Sequence, residues 1–88
     1  MVEFKIKFTK QAVKDIQYLK SANLSKKAKR LIGIIKENPY QNPPPYEKLV
    51  GDLDGMYSRR TNIQHRLVYE VYDDKKMIKV IRMWKHYE

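Results

Sequence analysis

The chain has 88 residues, of which 19 are Lys or Arg and 10 are Asp or Glu, and its formal net charge of +9 favours a polyanionic partner. This length predicts a single domain, residues 1–88, with room for one sheet and one or two helices. The absence of cysteine excludes disulfides and thiolate metal sites. The sequence has neither a signal peptide nor an apolar segment long enough to span a bilayer, so we expect a cytoplasmic protein that does not enter membranes.

The first strand and the first helix are predicted from the spacing of apolar residues. Apolar and charged residues alternate at the start of the chain, which predicts a strand with a buried face formed by Val2, Phe4, Ile6 and Phe8. Thr9 is the expected cap of a helix that ends near Ser21. The predicted core-facing stripe of this helix contains Ala12, Val13, Ile16 and Leu19. The residues outside the stripe are Lys14, Asp15 and Lys20.

A second helix is predicted from Ser25, its expected cap, to Asn38-Pro39, where proline prevents its continuation. Its apolar side contains Ala28, Leu31, Ile32 and Ile35. Its other side has the densest basic charge in the chain, with Lys26, Lys27, Lys29, Arg30 and Lys36. All four prolines lie between Pro39 and Glu47, so we expect a stiff loop there, in which Tyr40 and Tyr46 act as packing residues.

The second half of the chain predicts three strands. They run from Met56 to Asn62, from His65 to Tyr72 and from Met77 to Trp84, with turns at Ile63-Gln64 and at Asp73-Asp74-Lys75. The predicted fold class is α+β, in the order β-α-α-β-β-β, with an antiparallel sheet and two helices packed on one face. We expect Tyr57, Tyr69, Tyr72 and Trp84 to pack in the interior.

Side-chain alternation on the middle strand predicts where a site lies. Leu67 and Tyr69 share one face with His65, which we expect to be structural, whereas Arg66 points to the opposite face. If the helices cover the Leu67 face, the Arg66 face is open to nucleic acid. The candidates for lining a cleft on that face are Glu47, Arg59 or Arg60, Arg66, and the tail residues His86-Tyr87.

RNA cleavage is one reaction that these side chains can support. RNA carries its own nucleophile, the 2′-hydroxyl, so the reaction needs a base, a cation for the phosphate charge and an acid for the leaving 5′-oxygen. Glu47, Arg66 and His86 match these three tasks, but almost any basic protein contains such residues. Two histidines, no cysteine and no cluster of carboxylates disfavour a metal site, and three isolated glycines form no phosphate-binding loop, so no cofactor is expected.

Three segments of the sequence indicate a function more specifically than the combination of Glu47, Arg66 and His86 does. Gly55-Met56-Tyr57-Ser58-Arg59-Arg60, His65-Arg66-Leu67-Val68-Tyr69 and the terminal His86-Tyr87 resemble the signature of the YoeB/Txe toxins within the RelE-like superfamily. The resemblance is strongest from Glu47 onward and weakest in the two helices. It implies a compact microbial-ribonuclease-like fold and a ribosome-dependent mRNA endonuclease of a type II toxin–antitoxin system. It also implies an antitoxin partner of the YefM/Phd type, and some members of the family form homodimers.

The same resemblance implies roles for individual residues. Glu47 would be the general base, Arg66 the phosphate-stabilising cation and His86 the general acid, while Tyr87 would position the substrate or stack on a base. Arg59 and Arg60 are the expected RNA contacts, and Arg60 matches a basic position of the family. The sequence departs from the family pattern where Met56-Tyr57 replaces Phe-Trp and where Glu88 follows the usual terminal tyrosine.

Two other classes of function stay open at this point. A non-catalytic RNA-binding or DNA-binding module would use the same basic face to neutralise phosphates, and its tail would contribute only affinity. A basic adaptor for an acidic protein would have no effect on mRNA.

Overall fold

The computed structural model describes residues 3–49, 55–61 and 65–86, and for residues 85 and 86 it describes the main chain alone. In chain order the elements are β1 Lys5–Phe8, α1 Lys10–Ser21, α2 Ser25–Glu37, β2 Glu47–Lys48, β3 Met56–Arg60, β4 His65–Tyr72 and β5 Met77–His86. The predicted turn at Ile63-Gln64 and the candidate residue Tyr87 lie outside the described residues. Neither α1 nor α2 has the length and apolar character that a membrane-crossing helix needs.

The strands form one five-stranded sheet in the order β1-β5-β4-β3-β2. Neighbouring strands are antiparallel except for β1 and β5, which run parallel, with Lys5 opposite Met77 and Phe8 opposite Val80. The predicted α+β class is confirmed, but the sheet is mixed rather than wholly antiparallel. The two-residue strand β2 was not predicted because a pair of residues after the prolines shows no alternation.

The core lies between the helices and the sheet. Its buried residues from the helices are Ala12, Leu19, Leu24, Ala28, Leu31 and Ile35, and those from the strands include Leu67, Tyr69, Ile78 and Val80. The predicted faces of α2 and of β4 are therefore confirmed. Phe8 is exposed, although the alternation in β1 predicted its burial. It is the last residue of β1, whereas Phe4 is buried in the core and Ile6 packs against the core, partly buried.

The start of α1 is as predicted, whereas its buried face differs from the prediction. Thr9 caps the helix, since its hydroxyl accepts a hydrogen bond from the N–H of Ala12 at 3.0 Å. Val13 is exposed and Asp15 is fully buried, so the prediction that Asp15 lies outside the core face was wrong. Asp15 follows Ala12 by three residues and precedes Leu19 by four, which places all three on one side of a helix.

The start of α2 also differs from the prediction. Ser25 is the first helical residue, and the cap position belongs to Leu24, which makes no side-chain capping bond. The hydroxyl of Ser25 finds no hydrogen-bond partner among the described residues. The end of α2 is as predicted, because Asn38 before Pro39 has an extended backbone.

Candidate functional site

Arg59 holds the proline-rich segment of the chain against the sheet. Arg59 is 1% exposed, and its guanidinium donates hydrogen bonds to three main-chain carbonyls of that segment. These acceptors are Pro39 O at 3.1 Å, Gln41 O at 2.8 Å and Pro44 O at 2.5 Å. A guanidinium with these partners and so little surface cannot reach RNA, so the prediction of Arg59 as an RNA contact was wrong. Its role is structural.

Tyrosines complete the attachment of this segment. The rings of Tyr40, Tyr46 and Tyr57 contact one another with centroids 5.5 to 6.5 Å apart, and Tyr57 stacks on Tyr69 at 5.8 Å. Tyr69 donates its hydroxyl to Pro39 O at 2.8 Å, and burial raises the pKa of this phenol despite the nearby guanidinium of Arg59. The predicted packing roles of these tyrosines are confirmed. Arg59 and these tyrosines thus attach the proline-rich segment to the sheet, up to the residue where β2 begins.

Glu47 and Arg66 form an ion pair at the point where the proline-rich segment joins β2. Glu47 is the first residue of β2 and lies opposite Ser58 of β3, while Arg66 lies in β4. The Nη1 atom of Arg66 is 2.9 Å from Oε2 of Glu47 and donates a second hydrogen bond to Ser58 Oγ at 3.2 Å. The Arg66 side chain is 7% exposed and the Glu47 side chain 56% exposed. An immobilised cation therefore lies beside an accessible carboxylate.

These side chains line a cleft of about 230 Å³, which we call the Glu47–Arg66 cleft. Its walls are formed by Pro44, Pro45, Tyr46, Glu47, Ser58, Arg60 and Arg66. Arg60 is exposed and is the cross-strand partner of Arg66, so two guanidinium side chains project from adjacent strands on the same face. Glu47 balances the charge of Arg66, and the additional positive charge of Arg60 favours an anion such as phosphate.

The main chain brings His86 close to this cleft. In the register of β4 and β5, Arg66 is paired with Lys85 and His65 with His86. His86, the predicted acid, thus directly follows Lys85, which lies opposite Arg66, the predicted cation. The side chain of His86 and the whole of Tyr87 lie outside the described residues.

Asp15 anchors the strand that leads to His86. The register between β4 and β5 shifts twice, between Arg66 and Val68 and between Val68 and Tyr69. At such irregularities the main-chain amides lose their ladder partners. In this part of β5 the N–H groups of Met83 and Trp84 donate instead to Asp15 Oδ2, at 2.9 and 3.1 Å.

Burial would raise the pKa of the Asp15 carboxyl, but hydrogen bonds from Arg82, Met83 and Trp84 outweigh it and hold this pKa below the ordinary value. The anionic form is therefore favoured inside the fold.

His65 packs beneath the same part of the sheet. It is buried, and its imidazole stacks on the indole of Trp84 with centroids 3.6 Å apart. Trp84 also stacks on Tyr18 of α1 at 6.0 Å. The predicted structural role of His65 agrees with this position.

Two residues of the site were missed in the sequence. Ser58 is on the same strand face as Arg60, and this alternation could have indicated that it borders the cleft. Asp15 gave no such signal, because a carboxylate in a helix is usually exposed unless it is paired.

Comparison with solved structures shows which class of proteins shares this fold. Its structure matches that of the YoeB/ParE toxin from Agrobacterium tumefaciens with a TM-score of 0.85 and 30% identity, over 96% of this chain and 100% of that one. It also matches a chain of the YoeB-YefM complex from Staphylococcus aureus with a TM-score of 0.79 and 38% identity, over 96% of this chain and 98% of that one. The fold is that of the toxins of bacterial toxin–antitoxin systems.

The sequence comparison is more specific. Residues 8–87 match the model of the YoeB-like toxin of the bacterial type II toxin-antitoxin system, and the chain belongs to this family. The toxin YoeB of Streptomyces coelicolor is 42% identical over 55 residues, which span 62% of this chain and 66% of that relative. The matched part is thus slightly less than two thirds of that relative's length.

Proposed function

We propose that this protein is a ribosome-dependent endoribonuclease that cleaves mRNA and thereby inhibits translation, in the cytoplasm where translation occurs. The observation that carries this proposal is the contact between Glu47 and Arg66, which places an accessible carboxylate 2.9 Å from a buried guanidinium. Membership of the YoeB-like family supports it independently.

The proposed reaction needs no metal ion or cofactor. Glu47 accepts the proton of the ribose 2′-hydroxyl, and the 2′-oxygen forms a bond to the adjacent phosphorus. Arg66 stabilises the charge that develops on the phosphate oxygens, a task for which its planar fork is suited. The bond from phosphorus to the 5′-oxygen breaks, and His86 donates a proton to that oxygen. The products are a 2′,3′-cyclic phosphate and a 5′-hydroxyl end.

Three other residues have secondary roles in this proposal. Ser58 orients Arg66 through the hydrogen bond to its Nη1 atom. Arg60, exposed beside the cleft, binds RNA phosphate. Tyr87 positions the substrate or stacks on a base, a role that rests on the family resemblance alone.

Mapping of mRNA 5′ ends in a translating extract tests the proposal. The wild-type protein should produce new 5′-hydroxyl ends within ribosome-occupied codons, and the Glu47→Gln and His86→Ala variants should not. Glu47 is largely exposed, so its replacement should leave the fold intact. The control is Glu37→Gln, an exposed carboxylate at the end of α2. Absence of new ends with the wild type would leave a basic binding module as the function.

We also propose that the protein binds an antitoxin of the YefM/Phd type. The basic surface would receive an acidic segment of that partner, which folds as it binds. Expression of the toxin alone should arrest growth, and co-expression of the antitoxin gene should restore it. Growth arrest that persists with both proteins soluble would contradict this pairing. A homodimer is proposed on family grounds, and the molecular mass in solution tests it.

A further inference from the structure

A second groove lies beside the Glu47–Arg66 cleft. It has a volume of about 330 Å³ and is bordered by α2, the proline-rich segment and the end of β3. Pro44 and Arg60 line both the groove and the cleft, so the two cavities adjoin each other. A strand of RNA that leaves the cleft past Arg60 would enter this groove.

The described residues of the groove carry several positive charges. Lys27 and Arg30 are exposed, three residues apart on the same side of α2, and they line the groove together with Arg60. Among the residues that the structure describes, its lining includes no acidic one. The two ion pairs found within the described ranges involve Arg66 and Arg82 and leave these three cations out. Three cations around one cavity favour an anionic ligand.

Thr61 gives a second, independent indication of a ligand. This residue lines the groove and is 5% exposed. Its Oγ1 atom has no hydrogen-bond partner in the part of the chain that the structure describes. A buried hydroxyl is usually satisfied, and a phosphate oxygen is an acceptor for its proton. Leu31 and Ile34 supply apolar surface in the same groove, which a ribose or a base can contact.

We propose that this groove is a subsite for the RNA phosphate and nucleotide next to the scissile linkage, bound by Lys27, Arg30, Arg60 and Thr61. The proposal rests on the ribonuclease function proposed above. Its ligand is the cleaved strand itself, because the groove adjoins the cleft through Arg60. Ribosomal RNA has the same phosphate chemistry, and an acidic protein segment has a similar charge. Both are distinguished by the experiment.

The test compares two double variants of equal charge. The groove variant is Lys27→Gln with Arg30→Gln, and the control is Lys26→Gln with Lys29→Gln, which has the same spacing on α2 but does not line the groove. The probe is an RNA hexanucleotide with a 2′-deoxy sugar at the scissile position, which prevents cleavage. Parallel probes carry a neutral methylphosphonate in place of the phosphate on one or the other side of that position.

The groove variant should bind the charged hexanucleotide at least about tenfold more weakly than the control. The salt slope of its binding should fall by about 0.7, since each phosphate contact on a single strand contributes about that much and the subsite holds one phosphate. One of the two methylphosphonates should weaken binding by the wild type and the control but have little further effect on the groove variant. Thr61→Val should weaken binding of the same RNA without lowering the thermal stability, because it removes an unsatisfied polar group.

Equal effects of the two double variants would overturn the subsite, because only the general electrostatic field would then matter. So would a groove variant that binds the hexanucleotide normally but binds ribosomes or the antitoxin more weakly. If the wild type cleaves mRNA in extracts but does not bind the hexanucleotide, the subsite alone is refuted. If it does neither, the ribonuclease function is refuted as well.

Discussion

Asp15 and Arg82 form an ion pair across 67 positions of the chain, with Arg82 Nε 2.9 Å from Asp15 Oδ2. The same carboxylate oxygen accepts the main-chain N–H groups of Met83 and Trp84. Helix α1 is thereby attached to the irregular part of β5, the strand that ends at His86. The position of the proposed general acid thus depends on a residue in the first helix.

Replacing Asp15 by Asn should destabilise the protein by about 2–4 kcal/mol at neutral pH, because a buried charged acceptor of several hydrogen bonds is lost. The side chains have almost the same size, so packing is preserved. Urea denaturation measures the difference in the free energy of unfolding. Asp74→Asn, in the exposed turn before β5, is the control and should change this free energy by less than about 0.5 kcal/mol.

The contribution of Asp15 should also depend on pH. Its pKa is lowered in the folded protein, so the folded state favours the anion more than the unfolded state does. The stabilisation is then fully present above the unfolded pKa of about 3.9 and is lost as the pH falls through the folded value. The stability difference between the wild type and Asp15→Asn should therefore narrow below about pH 4. A difference that stays constant down to about pH 2 would contradict the lowered pKa.

Arg59 and Arg60 are adjacent in sequence and should respond differently to the same substitution. Arg59→Lys should cost about 2–4 kcal/mol, since a single ammonium group cannot replace the hydrogen bonds to Pro39, Gln41 and Pro44. Arg60→Lys, at an exposed position, should change stability by less than about 0.5 kcal/mol. Thermal and urea denaturation of the two variants measure these effects. Equal losses would contradict the structural role assigned to Arg59.

The sequence could predict the features that depend on neighbouring residues, but not the contacts that depend on the fold. Alternation along β4 correctly separated Leu67 from Arg66, because the side chains of a strand alternate strictly between its faces. The cap at Thr9 was predictable because it depends on three neighbouring residues. The hydrogen bonds of Arg59 and the burial of Asp15 were not predictable, since their partners are brought to them by the fold. For Asp15 these partners are 67 to 69 positions away.

Ser58→Ala should slow mRNA cleavage by about tenfold while changing stability by less than about 1.5 kcal/mol, which is the upper end of the range for a typical hydrogen bond. Ser58 Oγ accepts a hydrogen bond from Arg66 Nη1, so its loss leaves the guanidinium less well oriented. We expect kcat to fall more than KM rises, because the orientation of Arg66 matters most for the transition-state charge. Single-turnover cleavage on ribosomes measures this, with the exposed Ser21→Ala as the control. A rise in KM alone would indicate that Ser58 acts in binding instead.

Trp84 is the only tryptophan of the chain, so its fluorescence reports directly on the end of β5. His65→Ala removes the ring stacked on the indole at 3.6 Å and should shift the emission to longer wavelength as water reaches the indole. We expect a loss of about 1–3 kcal/mol in stability and reduced cleavage, because His65 is the cross-strand partner of His86. Tyr18→Ala, which removes the more distant and exposed stacking partner, should cause a smaller shift and leave cleavage unchanged. Normal cleavage by the His65→Ala variant, despite an altered emission spectrum, would show that this stack does not position the end of β5 that carries the proposed acid.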